Sequence, residues 1–189
     1  YQQAHQIALT VGERLTIAIA LSNLGSASRA LGHLSEAQQY YQESLDLSRA
    51  LGEQRWTAAS LNGLALTLVE AGEFRLAHTY AHEALAIARA IGSTPDQLDS
   101  LACLGEILAR QGETVRAYSL LYFVAHHTAT QSATRRRSQR LCEEIGQRIA
   151  PSVLTTAQDH SRQSTLAHLV GWVTSSAEPP GLATQTAGE

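Results

Sequence analysis

Apolar and polar positions follow a helical beat along most of this chain. In residues 61–92, LNGLALTLVEAGEFRLAHTYAHEALAIARAIG, an apolar helix face runs up to Gly72, a second apolar helix follows, and Gly92 closes it. Apolar residues at i, i+3, i+4 and i+7 line one face of a helix, so this stretch predicts a helical hairpin. The same register recurs on both sides. Leu21, Leu61, Leu101 and Leu141 align, as do Leu24, Leu64 and Leu104, then Gly32, Gly72 and Gly112, then Ala37, Ala77 and Ala117, each 40 residues from the last. Self-similarity at a fixed period predicts a solenoid of stacked hairpins. No strand-like alternation interrupts it.

Residues 1–133 therefore divide into a truncated helix, 1–12, and full repeats at about 13–52, 53–92 and 93–133. Tyr1, Ala4, Ile7 and Gly12 stand 40 positions before Tyr41, Ser44, Leu47 and Gly52, so the start reads as the second helix of a repeat whose first helix is cut away. The apolar flank this leaves predicts end-to-end self-association. In the first repeat, Leu15, Ile19, Leu21, Leu24, Ala27 and Leu31 form a broad apolar face for packing on the hairpin partner and the next repeat. Gly32 stops that helix, and Ser35 is the expected N-cap of the second. Small residues at Ala37 and Ser44 let the helices approach closely. Pro95 keeps the helix before it from running on. Beyond His127 the match decays. Glu144 stands where Leu24, Leu64 and Leu104 stood, so residues 134–175 read as a helical cap with a polar outer face. The tail, 176–189, is rich in Pro, Gly, Ala and Thr and reads as disordered.

The pattern of Leu24-Gly25, Leu64-Ala65 and Leu104-Gly105, a glycine seven further on, then Ala37, Ala77 or Ala117, resembles the tetratricopeptide repeat. That family's unit is about 34 residues; the longer unit here is similar to repeats in STAND-class signalling ATPases and in LuxR- or SARP-type bacterial regulators. The resemblance implies an all-α, right-handed superhelical solenoid of stacked antiparallel helix pairs. It also implies a concave wall built from the first helix of each pair. In that register the wall is lined by Ile19, Ser22, Ser26 and Arg29, then Ala59, Asn62, Leu66 and Glu70, then Asp99, Ala102, Glu106 and Arg110. Ser22, Ser26, Arg29, Asn62, Leu66, Glu70, Asp99, Glu106 and Arg110 are the expected partner-binding residues. Their mixed charge suits a polar partner, a protein or peptide or a small effector, although solvated helix faces would look the same. Co-chaperones of this family clamp a carboxylate with Lys and Asn; the wall holds no Lys, which argues against that role.

Composition narrows the chemistry. A net charge of −3 over 189 residues gives no basis for nucleic acid or an acidic membrane as partner. Cys103 and Cys142 are far apart, without metal or disulfide spacing, which fits a reduced cytoplasmic setting. There is no Met, and the chain reads as part of a longer protein. His78 and His82 stand four apart on a helix but lack a third ligand, so they are read as surface histidines rather than a metal site. Arg135, Arg136, Arg137 and Arg140 form a basic run without interleaved aromatics, read as a solvated cap face. Tyr40, Tyr41 and Tyr80 read as packing between helices. No phosphate-cradling loop, paired carboxylates or nucleophile set is apparent. The expectation is a non-catalytic interaction or sensor module without cofactor, in the C-terminal part of a bacterial signalling or transcriptional regulator. The alternatives are a small-molecule receptor in the superhelical groove and a structural spacer.

Overall fold

The computed structural model describes residues 2–174, and the expected tail lies outside them. Among the described residues every regular element is an α-helix: α1 (Gln2–Ala30), α2 (Leu34–Ala50), α3 (Gln54–Glu70), α4 (Phe74–Ala90), α5 (Thr94–Arg110), α6 (Thr114–His126), α7 (Ser132–Gly146), α8 (Pro151–Gln163) and α9 (Leu166–Thr174).

The helices end where they do because one turn is used repeatedly. Gly32, Gly52, Gly72, Gly92 and Gly112 all have positive φ, between 67° and 85°. At the first of them Gly32 N–H donates to Arg29 O at 3.0 Å and His33 N–H donates to Ser28 O at 2.9 Å, and the same two bonds recur at the other four. These bonds satisfy carbonyls that the last helical turn leaves over, in a left-handed conformation that glycine adopts without a steric penalty. The turn is so short that His33 directly precedes α2 and makes no side-chain cap bond. Ser35 is thus not the N-cap; it lies inside the first turn. Ser93 does cap α5: Asp96 N–H donates to its Oγ at 3.4 Å, and that hydroxyl donates to Asp96 Oδ2 at 2.5 Å.

A second difference concerns Gly12. It lies within α1, a single helix of 29 residues, so no turn separates residues 2–12 from the first repeat. Glycine inside a helix costs only about 0.5–1 kcal/mol relative to alanine, which a long hydrogen-bonded helix absorbs.

The chain divides into two compact units, residues 1–103 and 104–189. In the first, α1 pairs with α2 and α3 with α4, and α3 packs on α2 and α1. Ala37, Tyr41, Leu45, Ala58, Leu61, Leu64 and Ala84 form a core cluster, with Tyr80 and Ile87 against it. Tyr41 is wedged between two glycines: its ring lies 3.0 Å from where a Cβ on Gly25 would stand and 2.2 Å from one on Gly63. Beside it, Ser44 Oγ donates to Ala18 O at 2.7 Å and lies 2.8 Å from Ser60 Oγ. The small side chains at 37 and 44 are both buried there, as their size predicts.

In the second unit α6 packs against α7 and α8. Ser161 Oγ on α8 donates to Ser119 O at 2.9 Å, and Gln158 Nε2 donates to Tyr118 Oη at 2.9 Å. Arg135 on α7 donates to His127 O at 2.9 Å and Thr130 O at 3.2 Å, tying down the chain that leaves α6. Pro151 opens α8, in the first turn where its missing N–H costs nothing. Trp172 on α9 is buried, with the Arg116 guanidinium 5.2 Å from its ring centre.

Candidate functional site

The predicted wall residues divide by environment. In the first unit Ser22 is half-buried and Ser26 exposed on α1. Arg29 Nη1 donates to Glu70 Oε1 at 2.5 Å, a bond from α1 to α3 between positions that the register assigns to the same wall. Burial works against the Arg29 charge, but the hydrogen bond and negative charge of Glu70, with Tyr41, outweigh it and leave the guanidinium's pKa raised. Asn62 and Leu66 are buried rather than presented, because the middle of α3 is enclosed on nearly every side. Asn62 Nδ2 donates to Ser100 Oγ at 3.1 Å, and that hydroxyl donates to Asp96 O at 3.1 Å, so this asparagine fastens α3 to α5. Asp99 is half-buried. In the second unit Glu106 is buried, with Oε2 3.8 Å from Arg137 Nε, and Arg110 is exposed.

Of the residues expected to bind a partner in the first unit, Ser22, Ser26, Asp99 and the Arg29–Glu70 pair are at least partly exposed, and Asn62 and Leu66 are not. Residues 16–90 match the family model for the tetratricopeptide repeat. The tetratricopeptide-like region thus covers α3 and α4 and all but the first part of α1 and its partner α2. No curated protein and no solved structure matches the chain.

The other candidate groups fall into place around this frame. His78 and His82 meet, Nε2 to Nε2, at 3.1 Å. Burial and the neighbouring His78 lower the pKa of His82. Among the described residues no three His, Cys, Asp or Glu side chains gather as a metal site. Within the basic run, Arg135 is spent on backbone carbonyls, Arg137 faces Glu106, and Arg140 lies 3.7 Å from Glu144. Tyr41 is buried and Tyr80 packs on the core, so both serve packing. A shallow cavity of about 430 Å³ is lined by Glu73, Arg75, Leu76 and Thr79 at the start of α4, none of them an expected wall residue. No helix among the described residues is long and apolar enough to cross a membrane.

Sequence reasoning also missed one feature. Leu24, Ala27 and Leu31 were expected to pack inside the stack, yet all three are exposed, and Ile17 with them. Their spacing of seven and three was legible; their exposure depends on which helices lie beside α1.

Proposed function

We propose that this chain is a non-catalytic protein-interaction module that binds a polar, mixed-charge peptide or protein segment along the first helices of its repeats. The tetratricopeptide-like region supports the class, and the Arg29–Glu70 pair bridging α1 and α3 is the observation that carries the choice of surface. Partly exposed ion pairs contribute only about 0–1 kcal/mol. A partner carboxylate can therefore take over Arg29, and a partner cation Glu70, at little cost. Ser22 and Ser26 supply neutral donors and acceptors beside them.

The long repeat unit resembles those of bacterial STAND, LuxR and SARP regulators, which supports a cytoplasmic signalling or transcriptional role, with residues 1–133 as the repeats and 134–175 as their cap. A nucleotide-binding domain encoded upstream would agree with that role.

The test is a peptide array probed with the chain, followed by the paired reversal Arg29→Glu/Glu70→Arg. The double variant keeps an ion pair, and so the fold, while inverting the wall's charge order. We expect the best-bound peptides to lose affinity at least about tenfold, or about 1.4 kcal/mol. Unchanged affinity in a variant with an unchanged melting temperature would remove the wall from the account.

A further inference from the structure

His78 and His82 stand about one turn apart on α4, where residues i and i+4 share a helix face. Their rings meet through nitrogens: Nε2 lies 3.1 Å from Nε2, with the ring centres 4.2 Å apart and the planes tilted by 46°. The helix that carries them is fixed by the buried side chains of Ala77, Ala81, Ala84 and Leu85, so the spacing belongs to a packed element. As a hydrogen bond, the contact needs one ring to carry its proton on Nε2 and the other to accept it. The same separation suits a metal ion. An ion about 2.0–2.1 Å from each nitrogen, the length of a zinc–imidazole bond, sees two nitrogens 3.1 Å apart at an angle of about 100°. That angle falls between the right angle of square or octahedral coordination and the wider tetrahedral one.

We propose that His78 and His82 form an open, two-nitrogen chelate for a divalent ion of the copper, nickel and zinc group, with water in the remaining positions. Imidazole nitrogen suits these ions, whereas magnesium and calcium prefer oxygen. Both rings coordinate through Nε2. The ring that donates in the hydrogen-bonded pair therefore moves its proton to Nδ1, and the ion takes the place of that proton between the two nitrogens. Ligand imidazoles must be neutral. Burial, and then the neighbouring His78, hold His82 below its ordinary value of 6.5, so its lone pair is available at neutral pH. Arg75, about one turn before His78, is exposed, and solvent and salt screen its charge from the ion. Glu83, next to His82 in sequence, is engaged by Arg49 at 2.5 Å, and among the described residues no three His, Cys, Asp or Glu side chains gather. The chain thus supplies two ligands, fewer than the four of a closed structural zinc site, and binds the ion more weakly and exchangeably. Neither histidine is an expected wall residue, so the inference stands independently of the peptide-binding reading.

Zinc chloride titrated into the whole chain, free of any histidine tag, tests this, with the imidazole nitrogen resonances as the readout. The Nε2 signals of His78 and His82 move together along one binding curve, while those of the other histidines stay in place at the same zinc concentration. Magnesium chloride moves neither. His78→Ala and His82→Ala each weaken zinc binding at least about tenfold, because one imidazole remains where two held the ion. His78 is exposed, so His78→Ala keeps the zinc-free melting temperature of the parent. Zinc raises the melting temperature of the parent chain by mass action and raises that of the variants less. Signals that stay in place up to about 1 mM zinc overturn the proposal, as do signals that move for one ring of the pair alone or for all the histidines alike. Zinc affinity that His78→Ala leaves intact overturns it too.

Discussion

Among the described glycines, the least room for a side chain is left by a single ring. Tyr41 fills the gap between Gly25 and Gly63, and a Cβ on Gly63 would stand 2.2 Å from its Cε1. The ring cannot retreat, because Gly25 backs it on the other side. Gly63→Ala should therefore destabilise the fold by about 1–3 kcal/mol, the usual cost of overpacking a core, as a lowered urea midpoint will show. Gly25→Ala, with contacts of 3.0 Å, should cost less. Cysteine chemistry is muted at the same scale. Burial, and then the charge of Glu143, push the Cys142 thiol up to about 12. Since the thiolate is the reactive form, iodoacetamide at neutral pH should label Cys142 slowly in the folded chain and readily after denaturation; mass spectrometry of the labelled peptide checks it.

Among the elements, what was legible depended on whether the signal was local. The turn glycines at 32, 52, 72, 92 and 112 could be read directly, because a left-handed residue at a helix end demands a glycine wherever it sits in the fold. Replacing one tests that reading: Gly72→Ala, at φ 82°, should cost about 1 kcal/mol or more, measured as a fall in melting temperature. Ser35 misled because the turn after Gly32 is too short to leave a separate cap position. Gly12 misled because glycine permits a turn without compelling one. The wall was half legible. Arg29 and Glu70 were placed on one wall by the register, but their ion pair was not foreseen; Asn62 and Leu66 are enclosed, and a repeat period carries no information on how deeply α3 is buried between its neighbours.

For the molecule as a whole, burial leaves an acid-sensitive imprint. His82 and His160 are each lowered below their ordinary value of 6.5, by burial first and by a neighbouring histidine second. Between the folded and unfolded pKa values the unfolded chain binds protons that the folded one does not, so acid favours unfolding. Stability should fall as the pH drops through about 6.5 and level off, for this contribution, once the folded histidines protonate. Melting temperatures measured from about pH 7 to about pH 5 should show the fall, and His82→Gln with His160→Gln should flatten it. The central claim is that a partner lies along the first helices of the tetratricopeptide-like region. Hydrogen exchange on the chain with its best array peptide bound tests this most directly. The account predicts added protection in residues 22–30 of α1 and at the C-terminal end of α3 near Glu70, with α2 and α4 unchanged; protection gathered on α2 and α4 instead would contradict it.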